Sequence, residues 1–368
     1  MHTSSDLIYQ LALTCVPHIG NVQARILLEN FHSAESIFQS KLSLLEKIEG
    51  IGSVRARSIK NFKQFSEQEK SIKDLEKNKI RTLFMKDQDY PQRLLHCYDP
   101  PTLLFFKGEA NFNPSRMLAF IGTRSNTEYG RMMTEQLIED LVPYNPIIIS
   151  GLAYGIDAIA HKKSIQCGLK TIGILAHGLD MIYPSAHYTL AEEMLAKGGA
   201  LISEFRCKTL PDRHHFPSRN RIVAGISDAT IVVETGKKGG SMITANLACD
   251  YSRDVFAIPG KVNDTKSAGC NLLIASQKAQ LIQSGSDIAS NMGWIRKDLP
   301  VQPRTLFVDL TEEEKELLKI FNLQDSIHVD TVYISSKKSH SQTASILLNL
   351  EMKGVIRCLP GKMYQLIQ

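Results

Sequence analysis

The sequence lacks the cysteine patterns of a disulfide framework or a zinc site. Its seven cysteines are scattered singly, and none belongs to a C-x-x-C pair. Isolated cysteines of this kind indicate a reducing compartment and are mostly expected to be buried, inert thiols. We therefore predict neither structural disulfides nor a metal site.

Long apolar runs and a strong charge of one sign are also missing. The richest apolar stretches have the length of a strand, and no basic region followed by an apolar core opens the chain. This pattern predicts no signal peptide and no membrane span, and hence a cytoplasmic protein. The net charge of +5 over 368 residues is mild. Any contact with nucleic acid must then come from a localised positive pocket.

The length predicts two or three domains, which we place at residues 1–79, 80–300 and 304–368. In the first, an apolar turn ending at Gly20 recurs 32 residues later at Gly52, and an Ala-Arg pair follows each glycine at the same spacing. Each repeat has the pattern of a helix-hairpin-helix, whose glycine turn and following helix start can approach a phosphate. A plain helical bundle would use glycine in the same way, so DNA contact by this region stays open. Residues 63–79 predict a surface helix that leads to the next domain.

The central region alternates short apolar runs with amphipathic segments, which is typical of a doubly wound α/β sheet. Ligands of such sheets bind at the carboxyl ends of the strands. Predicted helices lie near residues 127–142, 156–168, 187–197, 219–226 and 241–250. The predicted strands are 80–85, 103–106, 117–121, 147–150, 171–175, 200–203, 230–233 and 255–258.

The last region predicts three helices followed by a hairpin, the order of a winged helix. Pro300 and Pro303 mark a linker before it, and Thr311 with Glu314 forms a predicted capping box at the first helix. Residues 304–368 carry eight basic and eight acidic side chains. A winged helix that reads DNA normally has a basic excess, so we interpret this one as a protein–protein module.

Four loops of the central region carry phosphate-binding chemistry. The first joins a strand to a helix at the G-T-R run beginning at Gly122, where backbone amides at the helix start, a hydroxyl and a guanidinium would cradle a phosphate. It matches neither G-x-G-x-x-G nor a P-loop, so we predict no nucleotide cofactor. The second begins at Ser150 and contains Asp157 and His161. Since no nucleophile or full ligand set accompanies them, we interpret Asp157 as a helix cap and His161 as a fastener of the loop.

The third loop holds three arginines, two histidines and a phenylalanine within ten residues, and the fourth is a glycine-rich turn with two lysines. Guanidinium groups hold phosphates, and the Phe216 ring would offer a stacking face to an unpaired base. Either Arg219 or Arg221 is expected to serve as an internal ion-pair partner. The glycines of the fourth loop would also let its helix pack close to the sheet. The predicted binding residues are Gly122, Thr123, Arg124, Ser150, Gly151, Arg213, Phe216, Arg219, Asn220, Arg221, Lys237 and Lys238.

A series of short motifs runs in order through about residues 90–275. They are Y-P-x-x-L from Tyr90, D-P-P from Asp99, G-T-R from Gly122, S-G-L-A-Y-G-I-D from Ser150, G-L-D-x-x-Y-P from Gly178, F-P-x-R-N-R from Phe216, G-S-x-x-T-A from Gly240 and I-P-G from Ile258. In this order they resemble the DNA-processing protein A (DprA/Smf) family.

The resemblance implies an extended Rossmann fold that forms a homodimer, binds single-stranded DNA and delivers it to the recombinase RecA during natural transformation. It carries DNA contact to Gly122, Thr123 and Arg124, and places residues 216–221 beside the binding pocket. This chain departs from the family at Tyr154, where an arginine is usual, and at residues 277–279, where a Gly-Ala pair is usual. The first departure removes a positive charge near the expected groove.

Two other classes of function fit the sequence less well. A nucleotide phosphoribohydrolase of the lysine-decarboxylase-like group would carry P-G-G-x-G-T-x-x-E, but here no glutamate follows the stretch from Lys238 to Thr244. An adaptor that uses only the terminal domains would not need so many arginines and glycines at one edge of the sheet. The sequence therefore favours a DNA-binding mediator without catalysis of its own.

Overall fold

The computed structural model describes residues 4–294, 310–321, 327–336, 338–353, 355–359 and 363–366. The chain forms two compact units, Met1–Lys297 and Asp298–Gln368. Within the described ranges, no helix is long and apolar enough to cross a membrane.

The first unit begins with a helical region that confirms both predicted hairpins. Gly20 lies directly before the second helix, and the second turn bends through Gly50 and Gly52, both at positive φ. The rings of Tyr9, Phe38 and Phe65 pack on one another in the centre of this region. Its helices are α1 (Ser4–Leu13), α2 (Asn21–Asn30), α3 (Ala34–Gln39), α4 (Leu42–Glu46), α5 (Gly52–Lys60) and α6 (Phe65–Lys77).

A nine-stranded, mostly parallel sheet follows, in the order β1-β2-β6-β5-β4-β3-β7-β8-β9. All eight predicted strands are confirmed, and β9 is an additional, exposed two-residue strand. Strand β2 runs antiparallel to both of its neighbours, β1 and β6, and all other neighbouring strands are parallel. The strands are β1 (Arg81–Phe84), β2 (Leu103–Gly108), β3 (Met117–Gly122), β4 (Ile147–Ser150), β5 (Thr171–Leu175), β6 (Ala200–Ser203), β7 (Ala229–Glu234), β8 (Asp254–Ala257) and β9 (Gln280–Leu281).

Helices cover both faces of this sheet, which makes it a doubly wound, Rossmann-like fold. Alternate residues of β3 enter two different cores: Leu118 and Phe120 lie in one, Ala119 and Ile121 in the other. The predicted helix 219–226 starts earlier, at His215. The helices are α7 (Gln92–Leu95), α8 (Glu128–Leu141), α9 (Ile156–Gln166), α10 (Tyr188–Ala196), α11 (His215–Ile226), α12 (Gly240–Asp250), α13 (Ala268–Ala275) and α14 (Gly285–Asn291).

The chain leaves β3 toward β4 on one side and later returns to β7 on the other. At such a reversal of strand order, the loops at the carboxyl ends separate and leave a crevice for a ligand. The helical region shares its core with the sheet, because one continuous cluster of buried side chains contains both Leu27 and Leu201. The predicted boundary at residue 80 marks a change from helices to strands and, as a domain boundary, stays a prediction.

The second unit has the three helices and the hairpin of a winged helix, as predicted. The capping box is confirmed: the Thr311 amide donates to Glu314 Oε2 at 2.8 Å, and the Glu314 amide donates to Thr311 Oγ1 at 3.3 Å. The predicted linker prolines, Pro300 and Pro303, lie outside the described residues. The elements are α15 (Glu312–Phe321), β10 (Ile327–His328), α16 (Val329–Ser335), α17 (His340–Met352), β11 (Ile356–Leu359) and β12 (Met363–Leu366).

Candidate functional site

A pocket of about 290 Å³ opens at the carboxyl ends of β3, β4 and β7. All four predicted loops contribute to its wall, so residues far apart in the sequence meet here, where the strand order reverses. Eight of the twelve predicted binding residues line it: Gly122, Thr123, Arg124, Gly151, Phe216, Arg219, Asn220 and Lys238.

Arg124 lies exposed at the mouth of this pocket. Its guanidinium is 5.1 Å from the centre of the Phe216 ring, a distance typical of a cation–π contact. None of the ion pairs within the described residues includes Arg124 or Lys238. Two positive charges at this mouth are therefore not neutralised by a carboxylate of the described residues and can attract an anion.

Arg219 forms the floor of the pocket and is only 5% exposed. It donates hydrogen bonds to the carbonyls of Gly151 and Ile174, and a side chain at position 151 would collide with its guanidinium. The Asp157 carboxylate accepts from the amides of Gly151 and Ala153 at 3.2 and 3.3 Å. Burial raises the pKa of Asp157, and the positive charge of Arg219 opposes that rise. Arg219 thus shapes the second loop while adding positive charge beneath the pocket.

The start of α8, just after the first loop, already holds a carboxylate. Glu234, at the end of β7, is 1% exposed, and its Oε2 accepts from the Thr127 amide at 2.9 Å and the Thr127 hydroxyl at 3.2 Å. Thr127 Oγ1 in turn caps the Gly130 amide. The predicted phosphate cradle at this helix start is therefore wrong, because a buried carboxylate occupies the place of the anion.

The pocket instead reaches the start of α12 in the fourth loop. Gly239, Gly240 and Ser241 line it. Asn220 Nδ2 donates to the Gly240 carbonyl at 3.3 Å, which joins the third loop to the fourth. The first and fourth loops therefore lie at the same end of the sheet.

Two predicted binding residues are structural instead. Ser150 is fully buried, and its hydroxyl donates to the Phe120 carbonyl at 2.6 Å. Arg221 donates to Glu204 and to the Asp99 carbonyl, which confirms the expectation of an internal ion-pair partner. Neither side chain faces the pocket, so both assignments are corrected.

Arg213 and Lys237 are exposed but do not line the pocket. Arg213 Nε donates to His214 Nε2 at 3.1 Å, and Lys237 lies beside Lys238 in the fourth loop. Both therefore stay predictions.

Asp157 and His161 both have structural roles, as predicted from the sequence, but their contacts differ from the predicted helix cap and loop contact. Asp157 holds the loop before α9, and no side-chain hydrogen bond caps that helix. His161 Nδ1 lies 2.6 Å from Thr171 Oγ1 of β5, so it ties a helix to a strand and not to the loop. Burial lowers the pKa of His161 to about 3. Among the described residues, no three His, Cys, Asp or Glu side chains cluster as metal ligands.

A second, smaller cavity of about 90 Å³ adjoins the pocket and was not predicted. It shares Arg124, Phe216 and Arg219 with the pocket, and adds Tyr154 and Tyr183. The departure from the family pattern already placed Tyr154 near the expected groove, whereas Tyr183, which belongs to the G-L-D-x-x-Y-P motif, was not predicted at the site.

Comparison with known proteins identifies the family of the chain. The family model of DNA recombination-mediator protein A matches residues 81–293, a helix-hairpin-helix model matches 8–72, and a DprA winged-helix model matches 303–362. The chain is 36% identical to Protein Smf of Escherichia coli, over 74% of each chain.

Two solved structures are similar to it. The DNA processing protein A of Streptococcus pneumoniae aligns with a TM-score of 0.66 at 32% identity, covering 79% of this chain and 98% of that one. DNA processing protein A from Helicobacter pylori, whose structure concerns a single-stranded DNA binding mode, aligns with a TM-score of 0.53 at 30% identity, over 58% and 95%. The chain therefore belongs to the DNA recombination-mediator protein A (DprA/Smf) family.

Proposed function

We propose that the protein is a cytoplasmic mediator of recombination that binds single-stranded DNA, protects incoming strands and loads RecA onto them during natural transformation. The observation that carries the proposal is the pocket with Arg124 and Lys238 at its mouth and Arg219 beneath it. Cations on glycine-rich loops hold phosphates, and the crevice at the strand reversal admits a chain. A homodimer would hold a longer strand between two such pockets.

In this proposal Arg124 and Lys238 contact phosphates directly. The DNA backbone can approach the pocket wall closely at Gly122, Thr123, Gly151 and Asn220. Arg213 and Lys237 extend the positive surface outside the pocket. No step requires a nucleophile or a general base, so the protein acts by binding alone. The stretch from Lys238 to Thr244 is not followed by the glutamate of the phosphoribohydrolases. Release of free base from nucleoside monophosphates would favour that enzyme class instead.

The first test is the affinity for a fluorescently labelled oligothymidine, measured by anisotropy over a range of salt concentrations. Arg124→Ala is expected to weaken binding at least tenfold and to lower the salt slope by about 0.7, the effect of one lost phosphate contact on a single strand. Lys170→Ala is the matched control. It removes one exposed positive charge just before β5, at the amino end of that strand, whereas the pocket lies at the carboxyl ends.

Absent binding, or binding that ignores Arg124, would contradict the proposal. The proposed loading of RecA needs a second assay. On strands coated with single-strand-binding protein, the wild type is expected to shorten the lag before RecA hydrolyses ATP, and Arg124→Ala is not. An unchanged lag with the wild type would remove RecA loading from the proposal and leave DNA binding.

A further inference from the structure

The helical region carries a groove of about 630 Å³ beside its second hairpin. It is formed by Pro17 of the first hairpin turn, Val54 of α5 and residues within 57–64, where α5 leads into α6, and is called the α5 groove below. It shares no lining residue with the pocket at the strand ends or with the smaller cavity beside that pocket. The proposed DNA binding therefore makes no use of this surface.

The hairpin segment beside the α5 groove is basic throughout. Residues 50–66 contain four basic side chains and no acidic one. Arg55 donates to two backbone carbonyls at 3.1 and 3.2 Å, and Lys60 donates to two others at 2.6 and 2.8 Å. These two cations therefore hold the helical region together and are not presented to a ligand.

The other two basic side chains, Arg57 and Lys63, are exposed and line the α5 groove. Within the described ranges, no hydrogen bond or ion pair includes either side chain. The groove thus presents two cations that no carboxylate of the described residues pairs with. Charge complementarity calls for an acidic partner.

The same groove has an apolar floor. Phe62 is only 8% exposed, and its ring packs on those of Phe38 and Phe65 with centres 5.8 and 5.3 Å apart. Pro17 and Val54 add apolar surface that is exposed, 65% of it in the case of Val54. An apolar centre within a charged, polar rim is the usual arrangement of a protein–protein interface.

Two side-chain amides complete the rim. Asn61 and Gln64 are exposed, and neither side chain has a hydrogen-bond partner in the part of the chain that the structure describes. A side-chain amide offers both a donor and an acceptor, which are the two groups that the backbone of an extended peptide must satisfy. A phosphate, in contrast, needs donors only. The rim therefore suits a peptide better than a nucleic acid backbone.

We infer that the α5 groove binds an acidic peptide segment of a partner protein, with carboxylates at Arg57 and Lys63 and an apolar side chain over Phe62. Val54, Ser58 and Asn61 follow one another at intervals of four and three residues, so they share one face of α5 and its end, along which the segment runs. Segments of alternating acidic and apolar residues are commonly disordered until they bind, so they are free to enter an open groove.

The test measures, by fluorescence anisotropy, the binding of a labelled peptide of Asp-Leu repeats to the full chain. Two peptides of equal length are compared with it: Asp-Ser repeats keep the charge and lose the apolar side chains, and Lys-Leu repeats reverse the charge. The wild type is expected to bind the Asp-Leu peptide at least about tenfold more tightly than either, since one buried leucine contributes that much. Equal binding of the Asp-Ser peptide would overturn the inference.

Variants of the groove locate the binding. Arg57→Ala and Lys63→Ala are each expected to weaken binding of the Asp-Leu peptide about threefold, the effect of one exposed ion pair. Val54→Ser is expected to reduce the preference over the Asp-Ser peptide, because it removes apolar surface and no charge. Lys77→Ala is the matched control, since it removes an exposed cation at the far end of α6 and should bind the peptide as the wild type does.

The outcomes separate this inference from the proposed function. Arg124→Ala should bind the Asp-Leu peptide normally, and the double variant Arg57→Ala/Lys63→Ala should bind oligothymidine normally. If the double variant keeps its affinity for the peptide, or loses affinity for labelled duplex DNA instead, the peptide groove is overturned and the DNA pocket stands. On the wild type, which has no folding defect, a carbodiimide should couple the carboxylates of the peptide to the Lys63 amine. Coupling confined to other lysines also overturns the inference.

Discussion

At the scale of single residues, three arginines near the pocket occupy three different environments. Arg124 is exposed and lies over a ring, Arg219 is buried on two carbonyls, and Arg221 is paired with Glu204 and Asp99. The positive charge that a strand could meet at the mouth therefore depends on where each guanidinium is held, and not on how many arginines the loops contain. Only Arg124 combines exposure with a place on the pocket wall.

Arg221→Met is expected to destabilise the protein without changing its affinity for DNA. The side chains of Arg221 and Glu204 are only 11% and 13% exposed. Burial raises the pKa of Glu204, and Arg221 opposes that rise. Removing one partner of a buried pair leaves an uncompensated charge and costs about 3–5 kcal/mol. Urea unfolding should show this loss, while the folded protein binds oligothymidine with wild-type affinity.

The double variant Arg221→Met/Glu204→Leu is the control for this interpretation. It removes both charges, so much of the lost stability should return. If Arg221→Met bound DNA more weakly than the wild type under conditions where it is fully folded, the structural role of Arg221 would be contradicted.

Sequence patterns located this cluster of arginines but did not show which arginine has which role. The partners of Arg221 lie 17 residues before it, at Glu204, and 122 residues before it, at Asp99. Contacts of such separation form only when β6 and the loop after α7 meet at the sheet. The expectation of one internal ion pair was correct because a dense set of arginines needs counter-charges, but its position required the fold.

At the scale of elements, His161 joins α9 to β5 by its bond to Thr171. Thr171 Oγ1 also donates to the Ile148 carbonyl of β4 at 2.8 Å. Since that hydroxyl gives its proton to the carbonyl, it accepts from His161 Nδ1, and the imidazole is neutral with Nδ1 protonated. The buried side chain of Thr171 thus connects α9 to β5 and to β4, and β4 ends at the pocket.

The stability of this connection should depend on pH. The folded-state pKa of His161, about 3, lies below its ordinary value of 6.5 because burial disfavours the charged ring. Between these values the unfolded chain binds the extra proton, so the stabilisation is complete above pH 6.5 and is lost as the pH falls. Lowering the pH from 7 to 5 should cost about 2 kcal/mol through this residue.

His161→Gln tests this expectation, because glutamine can donate to Thr171 and does not titrate. The variant should lose about 2 kcal/mol less than the wild type between pH 7 and 5 in urea unfolding. His32→Gln replaces an exposed histidine of the helical region, and the stability of this variant should fall between pH 7 and 5 by as much as that of the wild type. An equal fall in all three proteins would assign the acid sensitivity to another group.

Elements with strong apolar patterns were predictable, and those set by distant contacts were not. The eight strands follow from apolar runs, whereas β9 has two exposed residues and no such pattern. The sequence placed the start of α11 too late, because Pro217 suggests a loop although proline is tolerated in the first turn of a helix. Glu234 lies at the start of α8 from 107 residues away, so no local pattern could show that this helix start was occupied.

At the scale of the whole first unit, the helical region is attached to the sheet by polar contacts as well as by the shared core. Asn21 Oδ1 accepts from the amide and hydroxyl of Thr102, and Arg25 donates to the carbonyl of Cys97 at 3.0 Å. The first hairpin is thus engaged with the sheet region through α2. The start of α5, in the second hairpin, has no side-chain cap, and Val54 is 65% exposed.

Arg206 is the contact that should matter most for this attachment. Its guanidinium donates to the Gln68 side chain at 2.7 Å and to the Leu11 carbonyl at 2.6 Å, joining α6 and α1 to the loop after β6. Gln68 is itself 1% exposed, so Arg206→Ala leaves a buried amide oxygen without its donor, a loss of about 1–3 kcal/mol. Hydrogen exchange should therefore speed up in α1 and α6, while the amides of α12 at the pocket keep their protection.

A nearby ion pair provides the matched comparison. Lys208 bonds Asp74 of α6 at 2.6 Å, but Lys208 is 73% exposed, and surface pairs contribute about 0–1 kcal/mol. Lys208→Ala should leave the exchange of α6 unchanged, although it removes a cation only two residues from Arg206. If both variants act alike, general charge and not the buried bond attaches the helices. If Arg206→Ala also exposes α12, the helical region and the pocket unfold together, and the shared core outweighs any single polar contact in holding the site.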